Sequence, residues 1–333
     1  MVTIDSYPLA VVFCVLTMLC WGSWANTQKL AGRTWRFELF YWDYALGVLF
    51  LTFLAGLTFG SWGEAGRSFF EDLAQAESAA LLSAWWGGVV FNAANLLLVA
   101  AIAVAGMAVA FPVGIGIALV LGVLVNYLAS PVGNATVLVL GVLLVTAAIV
   151  LDAVAYRRLP GGAGQSGRKG LVLSVAAGIL MGLFYRFVAQ SMSENFRQPD
   201  PGLLGPYGAV FVFAVGLFMS NLVFNTLLMK KPIVGKPTGF ADYLRGRLAT
   251  HLIGILGGSI WAVGMLSSIL AADQAGFAIS YGLGQGATMV AAIWGVFIWR
   301  EFAAASPGTN RILAAMFTCY VLGLGLIILA RVA

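Results

Sequence analysis

Amides, indoles, a carboxylate and a guanidinium stand in this chain where long apolar runs would carry only Leu and Val. The first run ends in Cys20-Trp21-Gly22-Ser23-Trp24-Ala25-Asn26-Thr27-Gln28-Lys29, crosses a basic turn and resumes as Phe40-Tyr41-Trp42-Asp43-Tyr44. Such groups are costly in hydrocarbon, so they are expected to line a path or to join helices rather than to face lipid. Helical spacing gathers more of them onto single faces: Gly22 with Asn26, Trp85 with Asn92 and Asn95, Gly182 with Arg186 and Gln190, and Tyr281 with Gln285 and Thr288. Each amide serves equally well as a hydrogen-bonded joint between helices. Four stripes together favour a cavity for a small neutral solute, with Trp21, Trp85 and Trp261 as flat walls and Asn26, Asn92, Asn95, Tyr281 and Gln285 as donors and acceptors.

Two charged groups lie within the runs. Arg186 either snorkels to the interface or presents a donor fork to carbonyl and carboxylate oxygens, with Gln190 one turn on. Asp43 sits about one turn inside its run beside Tyr41, Trp42 and Tyr44; it is the candidate proton-coupling site, or else the structural partner of Lys29, Arg33 or Arg36. Asp152 and Glu301, near Arg157, Arg158 and Arg300, are expected to form ion pairs at helix ends, and His251 is expected at the membrane interface.

The elements that must position these groups follow from composition. Of 333 residues 61% are apolar and 9% charged, far below the roughly 25% charge of a soluble domain, so the chain is read as an all-α polytopic membrane protein. A span needs about 20 apolar residues, and such runs fall near 8–28, 39–60, 81–103, 107–128, 134–155, 170–190, 206–229, 248–271, 275–298 and 312–331. The first is read as a retained helix, since no charged segment precedes it as in a secretion signal. The short turns between the third and fourth and between the eighth and ninth runs are the least defined boundaries.

Of the 18 Lys and Arg residues, all but Arg67, Arg197, Arg331 and the intramembrane Arg186 fall on the connections after odd-numbered helices. The positive-inside rule makes those connections cytoplasmic and puts both termini on the non-cytoplasmic face of a cell (inner) membrane. A weak repeat relates Trp86-Gly87-Gly88 and Ala105-Gly106 to Leu256-Gly257-Gly258 and Ala275-Gly276 at an offset of 170. It pairs Phe91 with Trp261. One transmembrane domain over 1–333 is expected, built from five-helix repeats at 1–156 and 170–333 with a cytoplasmic linker at 157–169; an odd number of spans per repeat inverts the second copy.

Enzyme signals fail. Gly162-Ala163-Gly164-Gln165-Ser166-Gly167-Arg168-Lys169 lacks the ending of a phosphate loop and reads as a linker. No Ser elbow and no His/Cys metal spacing occur, and Cys14, Cys20 and Cys319 read as buried thiols. No enzymatic activity, cofactor, metal or nucleic-acid partner is expected. The segments 62–73 and 230–247 are amphipathic and suit the outer surface and the inner headgroups of the bilayer, respectively.

Trp21-Gly22-Ser23-Trp24-Ala25, Phe40-Tyr41-Trp42-Asp43-Tyr44, Lys231-Pro232-Ile233-Val234-Gly235-Lys236-Pro237 and Trp294-Gly295-Val296-Phe297-Ile298-Trp299-Arg300-Glu301-Phe302 together resemble the ureide permease family. That family lies in the drug/metabolite transporter superfamily and is related to the glucose/ribose porters. The resemblance spans nearly the whole chain. It implies ten helices in two inverted halves and proton-coupled uptake of allantoin, uracil, xanthine or related solutes, and it maps the family's Asp-Tyr pair onto Asp43-Tyr44 and its small-aromatic stretch onto Gly22 and Trp24. The long central loop of plant members is missing, and Asn26 departs from their first helix, which leaves the substrate open. A sugar transporter is the alternative, then a drug or metabolite exporter; a non-transporting scaffold is the alternative from another class. The expected mechanism is rocking of the two halves around a central cavity.

Overall fold

A computed structural model describes residues 1–32, 35–159, 168–233 and 235–333. Arg33 and most of the expected 157–169 linker, with the phosphate-loop-like segment, lie outside the described residues, as does Val234. Among the described residues ten helices are long and apolar enough to cross a bilayer: Tyr7–Ala31, Phe37–Leu57, Ser78–Ala105, Val109–Ala129, Ala135–Arg157, Arg168–Gln190, Pro206–Lys230, Leu248–Ala275, Phe277–Ile298 and Thr309–Leu329. They are called the first to tenth spans. Among the described residues no β-strand occurs, and a single isolated bridge joins Met192 to Leu204. The chain is an all-helical, multi-pass membrane protein.

The two least defined turns are single residues. Gly106 (φ 77°) ends the third span and Gly276 (φ 83°) ends the eighth, and each is followed directly by the next helix. A positive φ is open to glycine without a Cβ penalty, so one residue reverses the chain where a loop would need several. Two spans are interrupted. The first breaks at Trp24 and the ninth at Gln285-Gly286, and the ninth ends in a π-helical turn, Trp294–Ile298.

The chain divides into two compact units. One comprises Met1–Asn92 and Phe184–Gln274, the other Ala93–Leu183 and Ala275–Ala333. In the first, glycines bring backbones into direct contact. A Cβ on Gly47 would overlap the Ile255 carbonyl and one on Gly258 the Tyr44 carbonyl, locking the second span against the eighth. Gly88 and Gly216 do the same for the third and seventh spans against the carbonyls of Phe213 and Trp85. Small residues allow this approach where lipid supplies no hydrophobic drive between helices. The connections of this unit are tied together by Arg67, whose guanidinium donates to the carbonyls of Pro199 and Leu203 and to Asp72 Oδ1 (3.2 Å). Burial pushes the Asp72 carboxyl above the usual range, although the Gly205 N–H (2.8 Å) and Arg67 favour its charged form.

In the second unit the fifth and tenth spans meet through Gly141 and Gly323, each lying against the other's carbonyl. Asn134 caps the fifth span by accepting from the N–H groups of Thr136 (3.0 Å) and Val137 (3.2 Å). Gly178 lies against Gly114 of the fourth span.

Candidate functional site

Asp43 is the best-defined polar centre of the first unit. It lies in the second span, 1% exposed. Its Oδ1 accepts from the Tyr243 hydroxyl at 2.6 Å, and His251 Nδ1 lies 2.9 Å from Oδ1 and 3.0 Å from Oδ2. Two lone pairs cannot face each other at that distance, so a proton lies between ring and carboxyl. The eighth span is built around this contact. A Cβ on Gly254 would overlap Asp43 Cβ, and one on Gly246 would overlap His251 Nε2 and come within 2.6 Å of Trp35. Trp35 stands edge-on to His251 at 5.2 Å and Tyr243 at 4.7 Å, enclosing the ring. Burial, then the bonded Asp43 carboxylate, raises the Tyr243 hydroxyl above the usual phenol range, so it remains a donor. Below the centre, Leu39, Trp42 and Met229 form a small core, with Trp42 Nε1 donating to Met229 Sδ at 3.1 Å.

Of the basic partners expected for Asp43, Arg33 lies outside the described residues and Arg36 is engaged elsewhere. Arg36 pairs with Glu38 (2.6 Å) and donates to the Lys236 carbonyl, while Lys29 is exposed. His251 and Tyr243 are the partners that sequence reasoning missed. They are about 200 residues away in sequence, and the only early signal was a lone histidine opening an apolar run.

Aromatic rings fill the space along the same spans. Trp21 stacks on Trp261 (5.8 Å, 12°) and donates from Nε1 to its carbonyl at 3.2 Å. Trp261 also meets Phe91 (4.4 Å), Phe213 (5.8 Å) and Tyr44 (6.4 Å), and Tyr44 meets Trp24 (4.8 Å) and Tyr41 (5.1 Å). The two residues paired by the offset of 170, Phe91 and Trp261, are thus in direct contact. The Tyr44 hydroxyl is buried without a hydrogen-bond partner. Asn92, 0% exposed, donates to Ser220 Oγ (2.9 Å) and the Leu217 carbonyl (3.3 Å), which joins the third span to the seventh and leaves its Oδ1 unpartnered.

The seventh span supplies further groups that sequence reasoning passed over. Asn221 is fully buried with neither Nδ2 nor Oδ1 partnered, and Asn225 donates to the Glu38 carbonyl (2.8 Å) while its Oδ1 has none. These residues stand at i and i+4 in an apolar run, so the test that singled out Asn92 would have found them. A buried polar atom without a partner costs free energy, and several in one unit require an explanation.

The other candidates are placed as follows. Asn26 donates to the Ser23 carbonyl (3.1 Å) across the break at Trp24, Trp85 lies half-buried edge-on to Trp86 (5.0 Å), Arg186 is half-buried near Glu194, and Gln190 is exposed. In the second unit Asn95 and Gln285 are buried. Tyr281, fully buried there, has its hydroxyl 3.1 Å from the carbonyls of both Ala118 and Met181, between the fourth and sixth spans, with its ring against Gly122. Among the described residues no group of three or more His, Cys, Asp or Glu side chains is placed to hold a metal ion.

Comparison with known proteins adds a family. The model of the family described as ureide permease matches residues 40–159 and 162–330. Ureide permease 1 of Arabidopsis thaliana is 24% identical, with 98% of each chain covered, and Ureide permease 2 of the same organism is 23% identical, with 96% of each covered. Transmembrane protein 144 homolog B of Dictyostelium discoideum is 26% identical over 48% of this chain and 40% of its own. A crystal structure at 18% identity superposes with a TM-score of 0.57 over 97% of each chain, a likeness of fold alone.

Proposed function

This chain belongs to the ureide permease family, and from that membership we propose a proton-coupled secondary transporter that takes up a small planar ureide or nucleobase. The observation that carries the coupling is Asp43, a carboxylate buried in a membrane span and held by a histidine and a tyrosine. Carboxylates inside spans are expensive and characteristically serve ion pathways and proton relays. Here a proton lies between the carboxyl and His251, and Tyr243 donates to the same carboxyl oxygen, so the group that would gain or lose the proton is held by hydrogen bonds on both sides.

The class of solute is supported by what the first unit offers. Ureides and nucleobases are flat, and each carries carbonyl acceptors beside N–H donors. Asn92 Oδ1, the Asn221 amide and Tyr44 Oη supply unused acceptors and donors. The asymmetry of basic residues supports an orientation with the Asp43 end of the second span toward the cytoplasm, the side on which uptake would release the proton. The inverted repeat remains part of the proposal; glycine crossings at Gly88 and Gly258, 170 positions apart, support it.

The test is transport into proteoliposomes. Labelled allantoin, uracil, xanthine, glucose and a quaternary amine are offered under an imposed proton gradient. Accumulation of ureide or nucleobase without sugar is expected. Accumulation of glucose or the amine alone would overturn the solute class, and no flux of any solute would overturn transport of this panel. Asp43→Asn is expected to abolish accumulation while keeping solute exchange; unchanged accumulation removes Asp43 from the mechanism.

A further inference from the structure

A second buried carboxylate plays no part in the reading above. Asp152, on the fifth span, is 6% exposed, and its Oδ1 has no hydrogen-bond partner. Among the described residues it makes no ion pair. The arginines expected to neutralise it, Arg157, Arg158 and Arg300, are exposed, and Arg158 reaches instead toward the Pro307 carbonyl (3.4 Å).

Its neighbours are acids and hydroxyls. Glu301, on the short turn Glu301–Ala304 after the ninth span, is close enough for its charge to act on Asp152, and its Oε2 accepts from the Tyr156 hydroxyl at 3.0 Å. Tyr320, on the tenth span and fully buried, has its hydroxyl beside Thr288 and close enough to Asp152 for the carboxylate's charge to act on it. Tyr156, Glu301 and Tyr320 are therefore the titratable groups that face Asp152. The fourth span also packs on the fifth, and residues 109–129 contain no charged side chain. The backbone beside the cluster is irregular. The ninth span closes in a π-helical turn, and Arg300 adopts a left-handed conformation (φ 51°). Gly295 fits there, since a Cβ would fall 3.2 Å from Glu301 Oε2 and 3.4 Å from the Tyr156 hydroxyl. Such irregular turns and left-handed residues concentrate at functional sites.

A lone carboxylate is far costlier in a span than a carboxylic acid, and two neighbouring carboxyl groups resist ionising together. We propose that Asp152 and Glu301 share one exchangeable proton, which makes a protonation site in the second unit distinct from Asp43 and His251. Uptake forms one O–H bond on a carboxyl oxygen and consumes one proton from water; release reverses it, with Tyr320 and Tyr156 donating to the oxygens left charged. No metal ion is required.

The site is read without any transported solute, so its failure is separate from that of the transport mechanism. Infrared difference spectra of the purified full-length protein in lipid, recorded across pH, should contain a protonated-carboxyl stretch that titrates. Asp152→Asn should remove it and Asp43→Asn should leave it. Glu301→Gln, a milder change, should move its midpoint by about one pH unit or more, the size expected for neighbouring carboxyl groups. A spectrum in which neither variant alters the band, or a band that responds to sodium and not to pH, would overturn the shared proton.

Discussion

Replacing Asn221 by leucine separates a binding group from a structural one. The amide is fully buried in the seventh span with no partner for Nδ2 or Oδ1, a burial that costs about 1–3 kcal/mol on the evidence of protein substitutions. Leucine keeps the four-atom skeleton branched at Cγ and brings no polar atoms, so stability should rise by up to that amount, less the cost of seating its larger methyl groups. At about 2 °C per kcal/mol for a large chain, Tm should rise by up to about 2–6 °C. Binding should change in the opposite sense: two or three lost hydrogen bonds at about 0.5–1.5 kcal/mol each weaken Kd by roughly 5- to 2,000-fold. The assay is melting of purified protein, followed by tryptophan fluorescence, with and without allantoin or uracil. Ligand at about 100 times Kd stabilises the wild type by about 2.7 kcal/mol; the variant should begin higher and lose that increment. Asn225→Leu, which breaks the bond to the Glu38 carbonyl, should melt lower. If Asn221→Leu also melts lower and keeps the full ligand-induced rise, the amide is a helix joint and the argument from unpartnered groups fails.

Three further outcomes follow from packing and charge. Gly254→Ala places a Cβ into Asp43 Cβ; overpacking at a rigid contact costs about 1–3 kcal/mol, so Tm should fall by about 2–6 °C and gradient-driven accumulation should drop more than exchange, whereas wild-type values for both would show the spans are free to separate. Trp261→Leu removes ring contacts with Trp21, Tyr44, Phe91 and Phe213 worth about 0.5–1.5 kcal/mol each beyond area, and a melting temperature within 2 °C of wild type, against an expected fall of about 4–12 °C, would contradict that sum. For Asp72, burial raises the folded-state carboxyl above its ordinary value of 3.8, so the folded protein takes up the proton first and stability rises as pH falls through the raised value toward 3.8; Asp72→Asn should lack this rise in pH-dependent melting, and parallel curves for the two proteins would refute it.

What the sequence made legible was set by the solvent. A bilayer demands about 20 apolar residues per span and leaves few alternatives, so the ten helices were readable, and even the two unclear turns proved to be glycines whose positive φ reverses the chain at once. Pairings across the fold were not readable. For Asp43 the sequence leaves open a proton site or a pair with Lys29, Arg33 or Arg36, because proximity along the chain is the only guide to a partner; the structure gives it His251 and Tyr243, while Arg36 is satisfied by Glu38. Asn92 was open between lining and joint, and the structure places it as a joint with one acceptor left over. Asn221 and Asn225 were legible by the same spacing rule and went unread.

Asp43 and Asp152 place a carboxylate in a span by different means. Asp43 has a histidine that can carry its counter-charge and a phenol that donates to it, so its environment accepts the ionised form at close range. Asp152 has another acid and two phenols, and among the described residues it makes no ion pair. A chain with only the first would bind its proton over one range of pH, whereas one with both has two sites in separate units whose affinities are set by different partners. Fixed salt bridges would have made either carboxylate a permanent part of the scaffold. Among the described residues Asp152 has none, although Arg157 and Arg158 stand within two turns and are exposed, and this is the strongest reason to treat that carboxyl as a group that changes state.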